Sequence, residues 1–222
     1  APRFEATLWQ ALERTPQASR KGSYFSALIG ITRTDEGVAR LERIWRGTER
    51  PRGLPLAEPQ FVAMAEALAL RGVANADSVL DAQAARITNP DRLARFRFVR
   101  PALSADPAVR DSLFRTFADV TQRRRESWVL DAMQLLHHPL RADAALPLVR
   151  PALDLTQEIQ ATGDIFFPLR WLNATLDGHR SRAAADTVRA YLDANPDLPP
   201  RLRGKVLQAA DDLDRVAGVR AR

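Results

Sequence analysis

The sequence has no cysteine. That excludes disulfides, thiolate metal sites and cysteine nucleophiles, and it leaves the redox compartment open. Lysine is almost as scarce: Lys21 and Lys205 are the only two, so 31 of the 33 basic residues are arginine. No apolar run approaches the roughly 18 residues that suggest a membrane span. There is no glycine-rich phosphate loop and no GxSxG elbow, and no serine or threonine has a triad legible in the sequence. The three histidines, His137, His138 and His179, do not form HExxH, which sets two imidazoles one helical turn apart beside a glutamate. Adjacent His137 and His138 diverge on a helix. They are read as residues of a last turn, where a partly protonated imidazole interacts well with the helix dipole.

The chain has 222 residues, 45% hydrophobic and 27% charged. These values are ordinary for a soluble globular protein and allow a substantial core. No stretch shows the period-two pattern of a strand. Helical periodicity recurs instead, broken by Gly/Pro loops. Phe4, Leu8 and Leu12, with Trp9 beside them, predict a first amphipathic helix. Thr34 or Asp35, Asn89 with Pro90, Asp106 with Pro107, Thr121, Asp164 and Ser181 are expected caps. Pro101 should end or kink its helix, and Pro147 and Pro151 should break or kink another. Val-Arg-Pro-Ala-Leu stands at Val99–Leu103 and again at Val149–Leu153. A repeated phrase at such spacing is a signature of stacked helical repeats. The expected fold is all-α: an α-solenoid of antiparallel helix pairs, HEAT/armadillo-like, forming one helical-repeat domain over 1–222.

The formal charge is +6. Arginine suits phosphate and carboxylate recognition, so nucleic acid is considered as a partner. Against it, acids are interleaved with the arginines, and the longest basic run, Arg123-Arg124-Arg125, is followed at once by Glu126. A solvated, ion-paired surface is the preferred reading.

Asp211 and Asp212 diverge by about 100° on a helix, so they make a poor acid pair. One should face solvent and the other meet Lys205, Arg215 or a preceding loop. Glu158 and Asp164, flanking Gly163, are better candidates for a polar site, with Asp164 preferred as a cap. Phe166, Phe167 and Trp171 are read as core ahead of a stacking platform. Arg92, Arg95 and Arg100 share part of a helix face. They form either a carboxylate-binding strip or salt bridges between repeats.

Longer phrases carry a resemblance. Asn89–Asp106 with Arg110-Asp111, then Arg125-Glu126-Ser127-Trp128-Val129 and Leu136-His137-His138-Pro139-Leu140-Arg141, resemble a bacterial branch of the aminopeptidase N-type zinc metallopeptidases. Glu158–Pro168 and Leu207–Leu213 continue the pattern, and the part resembled is the C-terminal helical-repeat domain. The resemblance is strong over 89–215 and weaker over 1–88, where Leu41-Glu42-Arg43-Ile44-Trp45 carries it. In that family the zinc, its HExxH and the glutamates holding the substrate amine lie in an earlier catalytic domain, and none of those motifs matches a position here. The resemblance therefore implies a non-catalytic C-terminal portion with no cofactor of its own. It would pack on the catalytic domain of the same polypeptide, enclose the active site and admit short peptides. Arg92, Arg95, Arg125, Glu126, His138, Arg141 and Asp164 are its candidate contacts with a substrate carboxylate or with that domain. Arg95→Ala would then raise the parent's Michaelis constant for peptides. The alternatives are a free-standing helical scaffold for a protein or peptide and, less favoured, a nucleic-acid binder. Ala1-Pro2-Arg3-Phe4 begins a helical pattern without a leader, so the chain is read as an excised or mature piece. Its targeting signal would lie outside it, and an extracytoplasmic place is preferred.

Overall fold

The fold was analysed in a computed structural model that describes residues 2–220, except the side chains of residues 217, 219 and 220. Among the described residues every regular element is helical, and no strand forms. The chain gathers into two compact units, Ala1–Arg97 and Phe98–Arg222.

The first unit contains α1 (Pro2–Arg14), α2 (Ala18–Ile31), α3 (Asp35–Arg46), α4 (Glu58–Leu70), α5 (Ala76–Arg86) and most of α6 (Pro90–Val99). Helix α4 packs against α2, α3 and α5, while α1 lies on α2. Leu28, Leu41, Ile44, Met64, Leu68 and Leu80 are essentially sealed from solvent. Helix α1 does not bury the face its apolar periodicity predicts. Phe4 is 60% exposed, while Glu5, Trp9 and Leu12 turn inward.

The cause is a charged clamp on the loop between α2 and α3. The Glu5 carboxylate accepts from the backbone N–H of Arg33 (3.0 Å) and Thr34 (3.3 Å) and from the Thr34 hydroxyl (2.7 Å). It thereby covers donors that the start of α3 leaves orphaned. Thr34 completes the cap by accepting from Gly37 N–H at 3.1 Å, as its sequence position predicts. Gly37 is required by space, because a Cβ there would lie 1.7 Å from Glu5 Oε1. On the other side Arg71 donates to the carbonyls of Ile29 (2.7 Å), Gly30 (3.1 Å) and Thr32 (2.5 Å), which end α2.

Burial pushes the Glu5 carboxyl up, but bonds from Thr34 and Arg33 and the charge of Arg71 outweigh it, leaving its pKa below the usual value. A depressed carboxylate contributes stability that is present above its unfolded pKa and is lost as pH falls through the folded one. Glu5→Gln should therefore destabilise the first unit by about 2 kcal/mol at neutral pH. In thermal melts, the gap between this variant and the parent chain should close as pH drops below about 4.3. A gap that persisted at lower pH would refute the clamp.

The second unit opens with the last two residues of α6 and the 3-10 turn Arg100–Leu103, which replaces helix at Pro101 as expected. Helix α7 (Pro107–Thr116) follows, capped by Asp106, which accepts from Ala108 N–H at 2.8 Å. Thr121 is not the cap the sequence suggests. It lies inside a 3-10 turn, Val120–Arg123, where Asp119 accepts from its N–H at 2.8 Å, and α8 (Glu126–Leu136) starts only later. After a short turn at Pro139–Arg141 come α9 (Ala142–Asp154) and α10 (Thr156–Thr162). Pro147 and Pro151 do not end α9. Both prolines are exposed, as is Asp143, so the two carbonyls whose usual helical donors the prolines lack, those of Asp143 and Pro147, belong to solvent-exposed residues. The interruption falls at Leu155 instead.

Helix α11 (Phe167–Leu176) is the axle of this unit. It packs against α8, α9, α10 and α13 (Pro200–Arg220). Its Leu172 and Leu176 join a core with α9, α12 (Arg182–Ala194) and α13, while Phe167, Trp171 and Ala174 join a second core with α8. Helix α11 is thus buried on two sides. The two Val-Arg-Pro-Ala-Leu phrases also part company: one bridges α6 and a 3-10 turn, the other lies within α9. They share burial, since Val99, Ala102 and Leu103 are sealed like Val149, Ala152 and Leu153.

Candidate functional site

In the first unit α6 carries Arg92 and Arg95. Asn89 fixes its start by accepting from Arg92 N–H at 3.0 Å. The Arg92 guanidinium meets Glu58 at 2.8 Å, and Arg95 is ion-paired with Glu66. Glu58 also accepts from Thr88 N–H (2.9 Å) and Thr88 Oγ1 (3.1 Å). The Arg92 bond and the Thr88 amide together hold its carboxyl down to about 2. Of the two readings open for this strip, the observed contacts are salt bridges between helices. Both glutamates belong to α4, so the two pairs tie α6 to that helix.

The other five candidates lie in the second unit, where Glu126 meets Asp164 and the Arg141 N–H donates to the His138 carbonyl at 2.7 Å. Glu126 Oε1, at the head of α8, accepts from Asp164 N–H at 2.9 Å. Asp164 in turn accepts from the N–H groups of Phe166 (2.6 Å) and Phe167 (2.9 Å), the cap role that its sequence position predicts. Gly163 makes the approach feasible. A Cβ there would lie 2.6 Å from the Phe167 ring and 3.3 Å from Glu126 Oε1. Arg125 instead lies over the Trp128 ring, 4.2 Å from its centroid. His138 Nδ1 accepts from Leu140 N–H at 3.2 Å, capping the short turn.

Arg141 donates to the carbonyls of Ala102 (2.6 Å) and Leu103 (2.8 Å). Arg110 takes the next two, Ser104 (2.7 Å) and Ala105 (2.9 Å). Burial, then the nearby charge of Arg110, pushes Arg141 down to about 10, so it remains charged at neutral pH.

Two features were not visible in the sequence. Arg123 belongs to the basic run expected on a solvated surface, yet it is buried. The 3-10 turn carries its guanidinium inward to the Phe117 carbonyl and to Glu158, with which it is ion-paired. Arg124 and Arg125 keep the expected exposure. The second feature is the histidine pair. His137 Nδ1 lies 3.0 Å from His179 Nε2, and both rings are buried. Burial and the neighbouring His179 push His137 down to about 3. It is therefore neutral, not the partly protonated partner of a helix dipole that its position suggested.

Asp211 and Asp212 both meet Arg215, while Lys205 donates to Gln160 Oε1 at 2.7 Å. The aromatic cluster divides. Phe167 and Trp171 are core, but Ile165 and Phe166 are 76% and 62% exposed. Beside them runs a cleft of about 500 Å³. Among the described residues no group of three or more His, Asp or Glu side chains is placed to hold a metal ion. No described helix is long and apolar enough to cross a membrane. No protein-family model matches the chain, and no curated protein matches it.

Proposed function

We propose that this chain is a non-catalytic helical domain, the C-terminal part of a zinc aminopeptidase of the aminopeptidase N type. In this reading it packs on the catalytic domain, encloses the active site and restricts it to short peptides, from which the parent removes N-terminal residues. The sequence resemblance over 89–215 suggests the family. One structural observation supports an enclosing role: polar residues of the resembling phrases, with Arg123 just before one of them, are engaged in joining helix ends. Glu126 holds the Asp164 amide, Arg123 pairs with Glu158, and Arg141 holds the Ala102 and Leu103 carbonyls. Such contacts stiffen a wall, which is what enclosure and the exclusion of bulk water require.

The described residues do not fit a zinc ion, and no step of peptide hydrolysis is assigned to this chain. In the proposal zinc belongs to the catalytic domain. With zinc present, the product of the complete gene should hydrolyse aminoacyl-fluorophore substrates while the 222-residue chain does not. Hydrolysis by neither would favour the second reading, a free-standing scaffold. That reading draws support from the exposed Ile165 and Phe166. A nucleic-acid binder would show tight and steeply salt-dependent association, an outcome opposed by the many arginines already paired with acids.

A further inference from the structure

The cleft beside Phe166 combines an apolar lining with cations. Its lining comes from Gln160 at the end of α10, Ile165 and Phe166 before α11, Leu169 on α11, and Pro199, Leu202, Arg201 and Lys205 around the start of α13. The floor is sealed hydrocarbon, since Leu202 has no exposure. The rim holds two of the largest exposed apolar side chains of the described protein, next to each other in sequence. Side chains so placed leave apolar area in water that a partner would remove.

Charge decides what kind of partner. Both charged lining residues, Arg201 and Lys205, are cations, and the Arg170 guanidinium sits 5.7 Å from the Phe166 ring. No carboxylate lines the cleft. The acids nearest in sequence are occupied: Glu158 by Arg123, and Asp164 by the amides of Phe166 and Phe167. The cleft also lies at the N-terminal ends of α11 and α13, where helix dipoles add positive potential.

We infer that this cleft docks an acidic amphipathic segment of another protein: an apolar face seats on Ile165, Phe166 and Leu169, and flanking carboxylates meet Arg201, Lys205 and Arg170. A basic segment would face three uncompensated cations, and a second copy of the chain would bring the same cations against themselves. The inference is independent of the peptidase reading.

The test is fluorescence anisotropy with two labelled helical peptides of equal length. Both carry leucine on one face; one has glutamate and the other lysine on the opposite face. The glutamate peptide should bind at least tenfold more tightly, and its affinity should fall as salt is raised. Phe166→Ser should weaken it about tenfold without lowering the melting temperature, because that side chain is exposed. Arg201→Glu with Lys205→Glu should invert the preference between the peptides. Equal binding of the two peptides, or unchanged binding by Phe166→Ser, would overturn the proposal. Self-association that the glutamate peptide fails to dissolve would also overturn it, by assigning the cleft to a second copy.

Discussion

Gly178→Ala should lower the melting temperature of the second unit by about 6–12 °C. Gly178 follows α11 and is buried, and a Cβ there would stand 1.6 Å from the His137 carbonyl oxygen and 2.9 Å from its carbon. The obstacle is backbone, which cannot swing aside as a side-chain tip would. The α8 end and the turn after α11 must separate, disturbing the buried His137–His179 contact as they do. Overpacking of this kind costs about 3 kcal/mol, and each kcal/mol moves the midpoint by about 2–4 °C at this size. Gly30→Ala is the control. It lies within α2 with nothing within 4 Å of an added Cβ, so it should be neutral or stabilise by up to about 1 kcal/mol. Thermal melts followed by circular dichroism measure both. Equal midpoints for Gly178→Ala and the parent chain would refute the close approach.

A loss of similar size is expected for Trp171→Ala. The Trp171 side chain has no exposure, and its Nε1–H donates to the Ala152 carbonyl at 2.9 Å. Phe117 and Phe167 meet its ring edge-on, with centroids 6.3 and 6.2 Å away. Truncation removes this contact area, leaves a cavity between α11 and α8, and takes one donor from the Ala152 carbonyl, which keeps the Thr156 hydroxyl at 3.3 Å. Large-to-small changes of this type cost about 3–5 kcal/mol. Trp171→Phe keeps most of the volume but not the donor, so its loss should fall between zero and that of alanine. A phenylalanine variant as unstable as the alanine one would place the energy in the hydrogen bond and not in packing.

The caps and stops of this fold were legible because each depends on neighbours in the chain. Thr34, Asn89, Asp106 and Ser181 accept from amides two or three residues ahead. Pro101 ends α6 through its own missing N–H. What depends on distant partners was hidden. Glu5 turns inward because the start of α3, nearly thirty residues on, offers it donors. That rotates Phe4 out to solvent, against its hydrophobicity. Arg123 looked like surface because its partners, Phe117 and Glu158, come from two other elements. Aromatic periodicity marked Phe166, Phe167 and Trp171 alike, yet the turn capped by Asp164 directs Phe166 outward. The candidate site was legible as residue types and not as roles. Arginine 92 or 95 can serve a carboxylate on a ligand or one on a neighbouring helix, and only the fold sets Glu58 and Glu66 beside them.

The enclosing role is tested most directly by the length dependence of hydrolysis in the intact parent protein. Peptides of increasing length and a folded protein, all bearing the same N-terminal residue, would be compared by kcat/KM with zinc present. The account predicts efficient removal of that residue from short peptides and none from the folded protein. Comparable rates on both, or no peptidase activity at all, would contradict it.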